Sequence, residues 1–287
     1  MPRGLAQPTQ DLIAAAAALL ADQHPATVRG ICYQLFGRKL IPDMSKNSTA
    51  KVSRILVQAR ERGIIPWSHI VDETRPVRLR PSWHDPDRYM QTVARGYRKD
   101  RWADQPRRVL VVSEKGTVGG VLRPVTDRYG VPFAVYRGFG SATALHDLAE
   151  RSMSDARLLV ILYVGDHDPS GRFMSDVDLE QRIDRYHGVA YIERVAVDEG
   201  QIEQHGLLTF PAGDKTDDAR HPWFVMHHGD TCCELDALSP NTLRDLVEDA
   251  ILFHLDQDRW DRAEAVEAVE MTSLSDFIRS WPGVASA

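Results

Sequence analysis

Residues 158–164, Leu-Leu-Val-Ile-Leu-Tyr-Val, form an uninterrupted apolar run of strand length. A strand that is apolar on both faces belongs in a parallel sheet covered by helices on each side. The run breaks at once into Gly-Asp-His-Asp-Pro-Ser-Gly at 165–171. Three other segments follow the same pattern, at 109–112, 132–136 and 189–197. Between them lie stretches with helical periodicity, roughly 118–129, 142–153 (capped by Ser141) and 174–186. This alternation of strands and helices predicts an α/β fold with a parallel sheet between helices. A helical C-terminal tail is expected over about 240–256, 259–270 and 273–280.

The first third of the chain is of another kind. Thr9 is placed to cap a helix over about 10–23 with an apolar face of Leu12, Ile13, Ala16, Leu19 and Leu20. Thr27 is placed to cap a second helix at 28–37. After a polar stretch at 42–48, a third helix over about 49–62 turns Val52, Ile55, Leu56 and Ala59 inward. Lys51, Arg54, Arg60 and Arg62 fall on its outer face. An extended piece at 64–71 follows. Three helices and then a β element is the order of a winged-helix (CAP-like) domain, whose later helix enters the DNA major groove. A plain three-helix bundle with a solvated basic face fits the same pattern. Residues 76–108 read as a basic connector, with Asp85-Pro86 opening a helix over about 86–102. The expected domains are 1–80, a connector at 81–106, and 107–287.

Charge follows this division. Residues 1–108 hold 19 Lys and Arg against 10 Asp and Glu, whereas residues 109–287 hold 16 against 31. The overall net charge of −6 hides a basic part suited to polyanions and an acidic part suited to cations. An apolar content of 43% excludes a largely disordered chain. The longest apolar stretch, 12–21, is flanked by Asp11 and Asp22 and is too short to span a bilayer. With only Arg3 ahead of it, a signal peptide is not expected. Three cysteines without a Cys-x-x-Cys pair build neither a disulfide framework nor a zinc ribbon. The expected location is a reduced cytoplasm, in association with the nucleoid.

In an open parallel sheet, ligands sit at the carboxyl ends of the strands. Glu114 falls just past the first strand, and Asp166 and Asp168 just past the third. Alternation points the two aspartates the same way and His167 the other way. Carboxylates gathered at one edge repel unless a cation lies between them, and hard oxygen donors suit Mg²⁺. A single loop aspartate is more commonly a turn cap. Asp176-Val-Asp178 has the same spacing but lies in a predicted helix and is expected on a solvated face. Lys115 would either reach a phosphate or lie on the surface. Lys215 is expected in a surface loop. Glu234 and Asp236 either share a face near the metal or sit on an edge strand facing water.

A Glu after strand one with Asp-x-Asp after strand three is the arrangement of the Toprim domain of topoisomerases, primases and certain nucleases, which 109–197 resembles. Thr-Val-Arg-Gly-Ile-Cys-Tyr at 27–33 resembles the Arg-x-x-x-Tyr signature of the topoisomerase VI A subunit and the meiotic double-strand-break transesterases. Glu-Leu-Asp-Ala-Leu at 234–238 resembles a Glu-Leu-Glu-Ala-Leu stretch of that family. The resemblance covers roughly 25–240 and is nearest to the short, stand-alone mini-A proteins. It implies Tyr33 as nucleophile, with Arg29 one helical turn before it to hold phosphate. It also implies Mg²⁺ on Glu114, Asp166 and Asp168. The tyrosine of one subunit would act with the metal of the other, hence a homodimer on double-stranded DNA. Lys51, Arg54 and Lys115 would contact DNA. Two departures stand out: Cys32 replaces the first tyrosine of the family's Tyr-Tyr pair, and no ATPase or transducer segment accompanies the chain. Strand passage and a separate ATPase partner are therefore open. The expected activity is Mg²⁺-dependent cleavage of duplex DNA by tyrosine transesterification. The alternatives are a Toprim nuclease using metal-activated water, and a non-catalytic DNA-binding protein in which Tyr33 is a core aromatic and the carboxylates cap turns.

Overall fold

The computed structural model describes residues 7–71, 82–136 and 142–280. The chain divides into two compact units, one of 1–73 with 109–253 and one of 74–108 with 254–287.

The first unit opens with helix α1 (Gln7–Gln23). Thr9 lies inside its first turns rather than at a cap, because the helix already includes Gln7, whose amide donates to Asp11 one turn on (2.8 Å). A two-residue strand β1 (Ala26–Thr27) leads into α2 (Val28–Gly37), where Thr27 is the cap: its Oγ1 accepts from the Gly30 N–H at 2.8 Å. Helix α3 (Lys46–Glu61) begins earlier than the polar stretch suggested. Ser45 caps it by accepting from the Ser48 N–H, and the Ser48 hydroxyl donates to Asp43 at 2.6 Å. A 3₁₀ turn (Trp67–His69) precedes β2 (Ile70–Val71), which pairs in parallel with β1. These elements enclose a core of their own, from Ile13 and Leu20 through Ile31, Leu35 and Leu56 to Ile70. Arg60 departs from expectation. It is buried, with its guanidinium 4.7 Å from the centre of the Trp67 ring, because that aromatic folds back over the end of α3. Helix α4 (Pro86–Gly96) belongs to the second unit.

The sheet of the first unit holds β3 (Arg107–Ser113), β4 (Phe133–Val135), β5 (Leu158–Val164) and β6 (Ala190–Ala196). Their spatial order is β4-β3-β5-β6, parallel and flanked by helices. The fold is thus α/β with a four-stranded parallel sheet. Six of the seven residues of β5 are buried, as an apolar run covered on both faces requires. Helix α5 (Gly116–Tyr129) ends at Gly130, whose φ of 61° is a left-handed cap that favours glycine. Helix α6 (Ala142–Met153) occupies the expected range; the predicted cap Ser141 lies outside the described residues. Beyond β5 the chain turns helical at Pro169, five residues earlier than predicted. It runs through α7 (Pro169–Phe173), a π turn (Met174–Asp178) and α8 (Leu179–Arg185). Asp176 and Asp178 are not simply solvated: Asp176 pairs with Arg172 and His228, and Asp178 with Arg182. The remainder is α9 (Glu199–His205), an antiparallel pair β7 (Thr209–Pro211) and β8 (Thr231–Cys233) around α10 (His221–His228), and α11 (Pro240–His254). Helix α5 packs on β1, and α2 on the 3₁₀ turn Leu235–Ala237.

In the second unit α4 stops at Gly96, short of the expected 102. The tail beyond 256 is a single helix α12 (Gln257–Ser280) rather than two. Nothing between 257 and 280 is Gly or Pro, and the Thr272 and Ser275 hydroxyls donate to carbonyls one turn back. Trp102 meets Trp260 edge-on, Arg101 donates to Glu264 and Glu267, and Tyr97 and Lys99 both donate to Glu270. Among the described residues no helix is long and apolar enough to cross a membrane.

Candidate functional site

The site is built on the loop that leaves β5. Backbone bonds tie Gly165 to Ala196 and Val197 at the end of β6, and His167 to Cys233 on β8 in both directions (2.8 Å). Extended backbone through 166–168 then places Asp166 and Asp168 on one side and His167 on the other. His167 is buried against Phe224 and His228. Gly171 is required where it stands: a Cβ there would lie 2.3 Å from the Asp166 carbonyl oxygen. Arg194, on β6, anchors the loop from beneath. It donates to the carbonyls of Gly165, Asp166, Gly171 and Val197 and to the Ser175 hydroxyl. Burial lowers its pKa to about 10, so its charge persists at neutral pH.

Two chain segments then deliver cations to these carboxylates. Lys115, just past β3, donates from Nζ to Asp166 Oδ1 (2.7 Å) and Asp236 Oδ2 (3.0 Å), with Glu234 Oε2 at 3.6 Å. Burial opposes that charge, but Asp166 and Asp236 hold the ammonium above its ordinary value. Asp166 Oδ1 also accepts from the Leu235 N–H at 2.7 Å. Lys215 Nζ lies 3.3 Å from Asp168 Oδ2. The other carboxylate oxygen of Asp168 accepts from the Gly171 N–H at 2.7 Å, so Asp168 does cap α7 as well.

Helix α2 supplies the third cation. Arg29 donates with two nitrogens to the two carboxylate oxygens of Glu234, the Nε–Oε2 bond being 2.7 Å. Thr27, the α2 cap, donates its hydroxyl to Asp236 Oδ1 at 2.8 Å. An open cleft of about 500 Å³ results, lined by Thr27, Arg29, Lys115, Asp166, Glu234 and Asp236 among others. Tyr33 stands one turn beyond Arg29, whose guanidinium lies 5.8 Å from the ring centre. Burial raises the Tyr33 phenol to about 12; Glu234 adds to the rise, and Arg29 and Lys115 oppose it.

The expected residues thus divide. Arg29, Lys115 and Asp166 share the cleft, with Tyr33 beside Arg29, Asp168 on the same loop and Glu114 preceding Lys115. Lys51 and Arg54 lie elsewhere, exposed on α3. Lys115 is an internal ion-pair partner rather than a surface residue, and Lys215 is paired too. Glu234 and Asp236 sit on the cleft, in and beside a 3₁₀ turn rather than on an edge strand. The anchoring role of Arg194 had no sequence signal beyond an arginine inside a strand.

Glu114 reports the field of this edge. Burial, then Asp166 and Asp168, raise its carboxyl to about 7. Burial is the larger cause and the two aspartates add to it; carboxylate oxygens of this kind are the donor type that a hard divalent cation takes. Among the described residues, the three-residue group whose ligand atoms approach within 4.8 Å of one another is a different one, His146, Asp147 and Glu150, exposed on α6. No protein-family model matches the chain, and no curated protein matches it.

Proposed function

We propose that the protein cleaves double-stranded DNA by tyrosine transesterification in the manner of the topoisomerase VI A family, as a Mg²⁺-dependent homodimer. In this reading 1–80 is a winged-helix domain and 107–287 a Toprim domain with a helical extension. The observation that carries it is that the helix of Arg29 and Tyr33 meets the carboxylate edge of its own chain's sheet in one cleft, through Arg29–Glu234–Lys115–Asp166. Those elements come from four distant parts of the chain. The site is therefore read within one subunit rather than between two as the resemblance implied, and a dimer would set one such site on each DNA strand. Glu114, Asp166 and Asp168 would hold Mg²⁺, which supplies positive charge for the substrate phosphate.

The rest falls to the protein's own groups. The Tyr33 oxygen attacks phosphorus, the bond from phosphorus to the sugar oxygen breaks, and the tyrosyl phosphodiester keeps the energy of the bond it replaces. The phenol proton leaves and the departing sugar oxygen gains one. Arg29 would stabilise the charge building on the phosphate oxygens, and Lys115 is the next cation along the cleft. A phenol held at about 12 is a poor nucleophile. Burial is the main cause and Glu234 adds to it, while Arg29 and Lys115 favour the phenolate.

That same raised phenol favours the second reading, a Toprim nuclease in which metal-activated water attacks and Tyr33 only packs. One experiment separates them. Supercoiled plasmid is incubated with protein and Mg²⁺, denatured, and run with and without protease. A protease-sensitive shift in cut DNA, lost in Tyr33→Phe and in Asp166→Ala, is expected. Cutting at full rate by Tyr33→Phe with no adduct from the parent protein selects the hydrolase. Cutting that survives Asp166→Ala removes both readings.

A further inference from the structure

We infer that Glu234 is a latch that imitates the substrate phosphate: its carboxylate occupies the guanidinium of Arg29 until a phosphodiester of DNA displaces it. This rests on the proposed function and adds to it a regulation of the same site. The geometry is that of phosphate recognition. Two nitrogens of one guanidinium meet two oxygens of one anion, the forked arrangement that arginine forms with carboxylates and phosphates alike. The two partners are unequally placed. The Glu234 side chain is 18% exposed, whereas that of Arg29 is 54% exposed and lines the open cleft. A ligand entering the cleft therefore reaches Arg29 without unfolding anything.

Glu234 has somewhere to go. Its Oε2 is already 3.6 Å from Lys115 Nζ, so release from Arg29 leaves it beside a second cation. It also has a reason to matter, since its charge acts on Tyr33 as well as on Arg29. While latched, the arginine is taken and the phenol is disfavoured as an anion. Once a phosphate takes the arginine, Glu234 is left to Lys115. The resting protein would thus keep its phosphate-binding arginine occupied, and DNA itself would displace the latch.

The test is equilibrium binding of a short fluorescein-labelled duplex by anisotropy, without divalent cation, so that no cleavage intervenes. Glu234→Gln keeps the shape and removes the charge. It should bind the duplex about 5-fold more tightly than the parent, the scale of freeing one charged contact from a competitor. The gain should vanish when Arg29→Ala is added, because the latch acts through that arginine. Glu234→Asp keeps the charge but shortens the reach, and should gain part of the effect. Thermal melts confirm that each variant is folded. An ion pair of purely structural worth lowers the melting temperature without tightening binding, and that result overturns the latch. So does a gain that persists in the Arg29→Ala background, which marks a general charge effect. Absence of duplex binding by the parent instead overturns the DNA-cleaving reading itself.

Discussion

Glu114, with its carboxyl raised to about 7, is the residue whose chemistry is easiest to read from outside. Its neighbour Lys115 turns toward Asp166, Asp236 and Glu234, and Glu114 remains subject to the repulsion of Asp166 and Asp168. Its ordinary value of 4.5 applies in the unfolded chain, so between there and about 7 the folded state binds a proton that the unfolded state does not. The resulting contribution to stability is complete at low pH and is lost as pH rises through about 7. Glu114→Gln removes the charge, so in metal-free protein the variant should be more stable than the parent at about pH 8, by roughly 3 kcal/mol, and the gap should close toward about pH 5. Melting curves of both proteins across that range decide it; a gap independent of pH would mean that the folded state does not raise the Glu114 carboxyl. The carboxylates were legible because each follows a strand end at a fixed offset. Their counter-cations were not. Nothing in the residues around Lys115 or Arg29 distinguishes an internal ion pair from a solvated charge until the fold brings 234–236 alongside.

Among the elements, α2 shows how a local rule and a distant contact can coincide. Thr27 was expected to cap this helix, and it does, accepting from the Gly30 N–H while donating to Asp236 more than two hundred positions away. Thr27→Ala loses both bonds and should cost about 1–2 kcal/mol, the upper range for a cap, measured as a shift in the urea midpoint. Thr27→Ser keeps the hydroxyl and should recover most of that. A serine variant as unstable as the alanine one would show that the methyl group, not the oxygen, matters. Strand β5 and helix α6 were legible for equally plain reasons: one is an unbroken apolar run, the other a clear period. Helix starts were read less well. Ser45 and Asp168 cap α3 and α7 within polar stretches that look like loops, because Ser and Asp serve turns and caps alike. The tail of α12 ends at 280 as expected, but the expected break at 271–272 is absent, and Thr272 there bonds back to its own helix.

At the scale of the whole molecule, the buried cores follow the change in sequence pattern near residue 107. One is drawn from 13–70 and another from 112–183. The association of 74–108 with 254–287 as a second unit had no sequence signal, since it depends on contacts such as Arg101 with Glu267 across a long separation. Charge is distributed in the same way, with the basic surplus before 108 and the acidic one after it. Arg29 and Lys115 in the cleft, and Lys215 beside Asp168, are all taken up by carboxylates. A protein of net charge −6 that binds DNA must therefore make its first contacts with cations that are not so occupied. Lys51 and Arg54 are exposed on α3, and neither is in an ion pair among those found in the described residues. If α3 faces duplex DNA, each of these side chains neutralises a phosphate and releases counterions, so the logarithm of affinity falls linearly with that of salt. Replacing both by alanine should weaken binding about equally for unrelated duplex sequences and reduce the magnitude of the salt slope by roughly 2. Anisotropy titrations of the parent and the double variant at several salt concentrations provide the measurement. An unchanged slope would remove α3 from the DNA interface. A loss confined to one duplex sequence would make these residues readers of bases rather than holders of the backbone.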